Sequence, residues 1–86
     1  MLLGVFEAGE GATRTGIVTS RRLGTAVVRS RVRRRLREIV RHARPALREG
    51  LWLVIVAKPL AARSTFEVLR EEWTQLARRG GILRQP

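Results

Sequence analysis

The sequence predicts an α+β fold, a small two-layer sandwich in the order β-β-α-β-α, and three stretches carry that expectation. The first is 24–44, GTAVVRSRVRRRLREIVRHAR, whose apolar residues recur at helical spacing under a dense arginine face. The second is 51–58, LWLVIVAK, an almost unbroken apolar run with the length and branching of a strand buried on both faces. The third is Ser64-Thr65-Phe66-Glu67, a capping-box pattern that opens a second amphipathic helix. Helices gathered on a small sheet bury its apolar face.

Taken in order, Leu2 to Phe6 is a short apolar strand weakened by Gly4. The glycine-rich polar segment 7–14 is fit for a hairpin loop. Thr15 to Ser20 reads as a second strand holding β-branched Ile17, Val18 and Thr19. Arg21 and Arg22 follow, Leu23-Gly24 turns the chain, and Thr25 is placed to cap the basic helix. At about 100° per residue, Val28, Val32, Leu36, Ile39, Val40 and Ala43 fall on one side of it. Arg31, Arg33, Arg34, Arg35, Arg37, Arg41 and Arg44 fan over the rest, with Arg29 at the edge of the apolar stripe. Pro45 breaks the helix and Gly50 stops any short turn beyond it. Pro59 ends the third strand, and a crossover of roughly thirty residues is long enough to set it parallel to the second. Phe66, Leu69, Trp73, Leu76 and Ala77 make the inner face of the last helix, and Gly80-Gly81 terminates it. The chain is expected to form one domain, 1–86, with 82–86 a frayed tail.

Charge narrows the function. There are 18 basic residues, all arginine except Lys58, against seven glutamates, and the net charge is +11. Seven arginines lie between Arg29 and Arg41 with Glu38 the only acid among them. Like charges at helical spacing repel one another, so such a helix needs packing on one side and gains most from a polyanion on the other. Guanidinium forks match phosphate oxygens, which points to nucleic acid first and an anionic membrane surface second. A solvated face is the plain alternative, but solvated faces usually mix both signs.

Other chemistries find little support. The chain has no cysteine, so neither disulfides nor thiolate metal sites are expected. His42 is the only histidine, and without cysteine or aspartate no triad forms around it. Gly9-Glu10-Gly11 lacks the lysine and helix of a phosphate-cradling loop. Trp52, Phe66 and Trp73 could stack bases, though spacing assigns Phe66 and Trp73 to the core and leaves Trp52 the open one. No apolar run approaches the ~18 residues of a membrane span, and Met1-Leu2-Leu3 does not start a signal peptide, so a cytoplasmic protein is expected.

The run 20–34, SRRLGTAVVRSRVRR, resembles the signature of the bacterial ribonuclease P protein subunit: serine, two basic residues, glycine, Ala-Val, then Arg-Asn-Arg and further basic residues on one helix. Val56-Ala57-Lys58-Pro59, followed by a loop and a helix, is similar to the family's last strand and final helix. The resemblance implies an α-β-β-β-α-β-α sandwich with a left-handed βαβ crossover, an exception to the right-handed rule. It implies two partners, a large catalytic RNA and precursor tRNA, and no membrane or protein partner. In that family the RNA removes the 5′ leader of the precursor with Mg2+ held mainly by the RNA, so this chain is expected to supply neither catalytic residues nor metal ligands. By the match, Arg29, Arg31, Arg33 and Arg34 would contact RNA with Arg21 and Arg22 alongside, and Arg37 and Arg41 extend the same helix. Ser30 stands where the family has asparagine, keeping a hydroxyl but losing the amide's reach. The family's N-terminal helix has no counterpart in these residues, so one sheet face is expected to lie uncovered and leader binding to be weaker. The rival readings are a structural RNA-binding protein of ribosomal type, a DNA-binding helix, and a membrane-surface helix.

Overall fold

The computed structural model describes residues 1–84. Three strands, β1 (Leu2–Glu7), β2 (Arg14–Thr19) and β3 (Leu51–Ala57), and two helices, α1 (Ala26–Ala43) and α2 (Phe66–Arg79), follow in the expected order β-β-α-β-α. Short 3-10 turns at Arg21–Leu23, Arg44–Ala46 and Pro59–Arg63 join them.

The sheet order is β1-β3-β2, so the segment expected to be a hairpin loop is not one. β3 lies between the first two strands, antiparallel to β1 and parallel to β2. β3 carries the longest apolar run of the three strands, and the centre is where both of its edges are paired. The expected burial on both faces is not found. Trp52 is 54% exposed and Val54 and Val56 are only half-buried, because the helices cover one side of the sheet alone. The polar loop instead wraps the entry to β3. Ala8 donates its amide to the Gly50 carbonyl, and Gly50 donates to Gly11, each at 2.8 Å. The buried Thr13 hydroxyl donates to the Arg48 carbonyl and accepts from the Leu51 amide. Gly50, at φ +77°, is forced to be glycine, because a Cβ there would collide with the Gly9 carbonyl.

One face of β3, Leu51, Leu53, Ile55 and Ala57, is buried under both helices. α1 supplies Val32, Leu36, Ile39 and Val40, and α2 supplies Leu69, Trp73 and Ala77. Thr25 caps α1, accepting the Val28 amide as its position predicts. The cap of α2 differs from expectation. Thr65 accepts the Val68 amide, while Ser64 turns back to donate to the Leu60 carbonyl, so the helix starts one residue late and no capping box forms. The tail expected to fray is seated through Arg84. Gly81, at φ +65°, reverses the chain, Ile82 is fully buried, and Leu83 bridges Leu47. An apolar side chain placed beside an open core outweighs the entropy of a short tail. Gln85 and Pro86, the rest of that expected tail, lie outside the described residues.

The opposite sheet face is open. Leu2 (52%), Phe6 (53%), Val18 (47%) and Trp52 (54%) all keep about half their surface in solvent.

Candidate nucleic-acid interface

A helix lying on a sheet has a buried side, an outer ridge and two shoulders. On α1 the ridge carries Ser30, Arg34, Arg37 and Arg41, all exposed and spaced three or four residues apart. From Ser30 to Arg41 it runs about 16 Å at ~1.5 Å per residue. Arg34 and Arg37 have no hydrogen-bond or ion-pair partner among the described residues. Arg21 and Arg22 are exposed in the turn that leads into the helix, also unpaired.

The shoulders are different. Toward β2, the half-buried Arg33 donates from Nη2 to Thr19 Oγ1 at 2.6 Å. Arg44 donates to the Thr13 carbonyl at 3.1 Å and to Thr15 Oγ1 at 3.4 Å. On the other shoulder Arg31 reaches the Ala62 carbonyl at 3.4 Å, and Arg35 reaches the Ser64 carbonyl at 3.1 Å. Arg29 and Arg31 each bury an Nε atom without a partner among the described residues. The guanidinium fan expected from the sequence therefore resolves into a free ridge and two tethered flanks. Of the nine candidate residues, Arg21, Arg22, Ser30, Arg34, Arg37 and Arg41 are presented outward. Arg29, Arg31 and Arg33 are half-buried.

The single acid of α1 is neutralised in place. Glu38 accepts two bonds from Arg41, at 2.6 and 3.2 Å, and lies 2.9 Å from His42 Nε2. The Arg41 hydrogen bond holds the Glu38 carboxyl below its ordinary value, and the carboxylate in turn raises Arg41 above its own. The other six glutamates lie off this helix: Glu67, Glu71 and Glu72 on α2, and Glu7, Glu10 and Glu49 around the loop end of the sheet. The ridge accordingly presents one sign of charge.

One concavity flanks the ridge and another lies at the loop end of the sheet. A groove of about 500 Å3 runs between β2 and α1, lined by Thr15, Gly16, Arg37, Arg41 and Arg44 among others. A second, of about 540 Å3, sits at the foot of β3 beside Trp52 and Arg14. On the open face Phe6 and Trp52 are tilted neighbours, ring centres 6.0 Å apart, and the strand register puts Arg14 on the other side of Trp52. Sequence reasoning singled out Trp52 but missed Arg14, because their adjacency depends on β3 entering between the other strands. The Glu38–His42 pair, at i and i+4, was available from spacing alone. Among the described residues no group of three or more His, Cys, Asp or Glu side chains is placed to hold a metal ion. None of the described helices is long and apolar enough to cross a membrane.

Comparison with known proteins bears on this arrangement. A family model described as Ribonuclease P matches residues 1–81. The "Ribonuclease P protein component" of Symbiobacterium thermophilum is 42% identical over 73 residues, covering 85% of this chain and 64% of that protein. The component from Brevibacillus brevis is 34% identical over 85 residues, covering 99% of this chain and 68% of that protein. The solved ribonuclease P protein of Thermotoga maritima superposes with a TM-score of 0.79 at 30% identity, over 90% of this chain and 74% of that one. The Staphylococcus aureus protein, at 20% identity and TM-score 0.76, shows the same fold over 85% of this chain and 66% of that one. The chain spans 64% and 68% of the length of the two curated relatives.

Proposed function

The chain belongs to the ribonuclease P protein family, and from that membership we propose that it is the protein subunit of a ribonuclease P, binding the catalytic RNA and assisting removal of the 5′ leader from precursor tRNA. The observation that carries the reading is the outward ridge of α1, whose arginines belong to the stretch that the family model covers and of which Arg34 and Arg37 meet no acid among the described residues, while Arg41 holds Glu38. Arg34 and Arg37, with Arg21 and Arg22 at the helix entrance, would bind phosphates of the catalytic RNA and screen their mutual repulsion. Arg41 adds charge from its clamp on Glu38, and Ser30 supplies a hydroxyl to the same surface. Arg33 sits where releasing Thr19 would let it join them.

The cleavage chemistry belongs to the RNA, and Mg2+ bound there would activate water and stabilise the leaving oxygen. On this reading the part of the chain is to bind, orient and neutralise charge. The open sheet face, with Trp52, Phe6 and Arg14 in one row, is the surface we assign to the unpaired leader nucleotides, since stacking on aromatic rings tolerates any base. The reading makes this a cytoplasmic complex.

Reconstitution tests the reading. The chain is combined with the catalytic RNA of a relative, and precursor cleavage is followed across a magnesium titration. The expected result is cleavage at a lower magnesium concentration than the RNA alone requires. An unchanged requirement, or isolation of the chain on ribosomal particles rather than with one catalytic RNA, would favour a ribosomal-type protein instead.

A further inference from the structure

Gly16 sits in the middle of β2, and nothing in the fold asks for glycine there. Its φ is not in the left-handed region, and a Cβ added to it would meet no atom within 4 Å. Gly4 and Gly50 are different: a Cβ on Gly4 would come within 3.3 Å of the Phe6 ring, and one on Gly50 would strike backbone. Glycine inside a strand weakens it, and where no internal contact explains it, close approach of something outside the chain does.

The surroundings say what approaches. The register sets Gly4, Val54 and Gly16 in one row across the sheet. On the open face this row lies between Leu2–Val56–Val18 and Phe6–Trp52–Arg14. It is therefore the floor of a trough running across the strands. The Phe6 ring leans over Gly4 at the β1 end, whereas the β2 end is open at Gly16. β2 is an edge strand, and the backbone of Gly16 also lines the groove beneath Arg37, Arg41 and Arg44. Gly16 is thus the point where the aromatic sheet face and the arginine groove meet with no side chain between them.

We propose that a single-stranded RNA segment crosses the edge of the sheet at Gly16, with phosphates in the Arg37–Arg44 groove and bases on the open face beside Trp52, and that Gly16 is a positioning residue that leaves room for its path. The inference rests on α1 being an RNA-binding helix. It goes further in assigning one continuous strand to two surfaces on opposite sides of β2. The chemistry favours this occupant over others. No acid lines the groove, and Arg37 in it is unpaired among the described residues. A duplex keeps its bases stacked inside and cannot place them on Trp52. An acidic peptide added to the β2 edge would use backbone hydrogen bonds in the plane of the sheet. A Cβ at Gly16 stands out of that plane and would not obstruct it.

The test uses the full chain and the variants Gly16→Val and Gly16→Ala. Three quantities are measured for each: the melting temperature, affinity for a relative's catalytic RNA, and affinity for a short fluorescent oligouridylate. Both variants are expected to melt at or above the parent, because each favours a strand more than glycine does. Affinity for the catalytic RNA, read mainly by the α1 ridge, is expected to stay within about twofold. Oligouridylate affinity is expected to fall about tenfold for Gly16→Val, as loss of a stacked base would give, and less for Gly16→Ala. Unchanged oligouridylate affinity in a folded Gly16→Val overturns the crossing. So does an equal loss of both RNAs, or an oligoglutamate that binds parent and Gly16→Val alike in competition with oligouridylate. If Gly16→Val melts early, Gly16→Ala decides by the same criteria. Failure of the parent to bind the catalytic RNA would instead strike the reading of α1.

Discussion

Arg34→Ala separates charge that serves the fold from charge that serves a partner. Arg34 lies on the α1 ridge with no partner among the described residues, so its removal should change stability by no more than about 0.5 kcal/mol. Each phosphate neutralised contributes about 0.9 to the log–log dependence of affinity on salt, taking the duplex-DNA value as guide. Four unpaired outward guanidiniums, Arg21, Arg22, Arg34 and Arg37, then give a slope of about −3.6, and Arg34→Ala one of about −2.7. If Arg33 and Arg41 leave Thr19 and Glu38 for phosphate, the parent's slope steepens to about −5.4. Filter binding to the catalytic RNA at several salt concentrations measures it. Arg31→Ala is the internal control: its guanidinium is spent on the Ala62 carbonyl, so melting should fall while the slope holds. A parent slope near zero, or a change in slope for Arg31→Ala but none for Arg34→Ala, would refute the division into ridge and shoulder.

Leu36 is fully buried in α1, and Leu36→Asp should abolish cooperative melting by circular dichroism, since an unpaired buried carboxylate costs several kcal/mol, about the whole stability of a small domain. Gly50→Ala places a Cβ against the Gly9 carbonyl at φ +77°, and a denaturant titration should show a loss above about 1 kcal/mol. Glu38 is held below its ordinary 4.5 first by the Arg41 hydrogen bond. Its stabilising share is therefore present above pH 4.5 and lost as pH falls through the lower folded value. A carboxyl titration by NMR should place the Glu38 midpoint below 4.5, and Arg41→Ala should return it toward that value.

Period and punctuation made much of this molecule legible. The stripe Val32, Leu36, Ile39 and Val40, the Thr25 cap, the inner face of β3 and the stop at Gly80-Gly81 follow from residue spacing and local backbone chemistry, whereas the apolar run of β3 wrongly suggested burial on both faces. What depended on distant partners did not. The position of β3 between β1 and β2 joins residues far apart in sequence, so the row Phe6–Trp52–Arg14 has no local signature. Ile82 looked like tail because its burial depends on Gly81 turning it toward Leu47, not on any pattern within the tail itself. The helix α1 illustrates the limit most sharply. Residues two apart on a helix stand about 200° from each other, so Arg31 and Arg33 cannot serve one surface. A helix seated between β2 and the Pro59–Arg63 turn has a neighbour on each side, and each arginine finds one, Thr19 or Ala62. An Arg-x-Arg spacing on such a helix thus braces it from both flanks. Ser30 and Arg34, the residues beside that pair, are the ones turned to solvent, so the signature divides between holding the helix in place and presenting its charge.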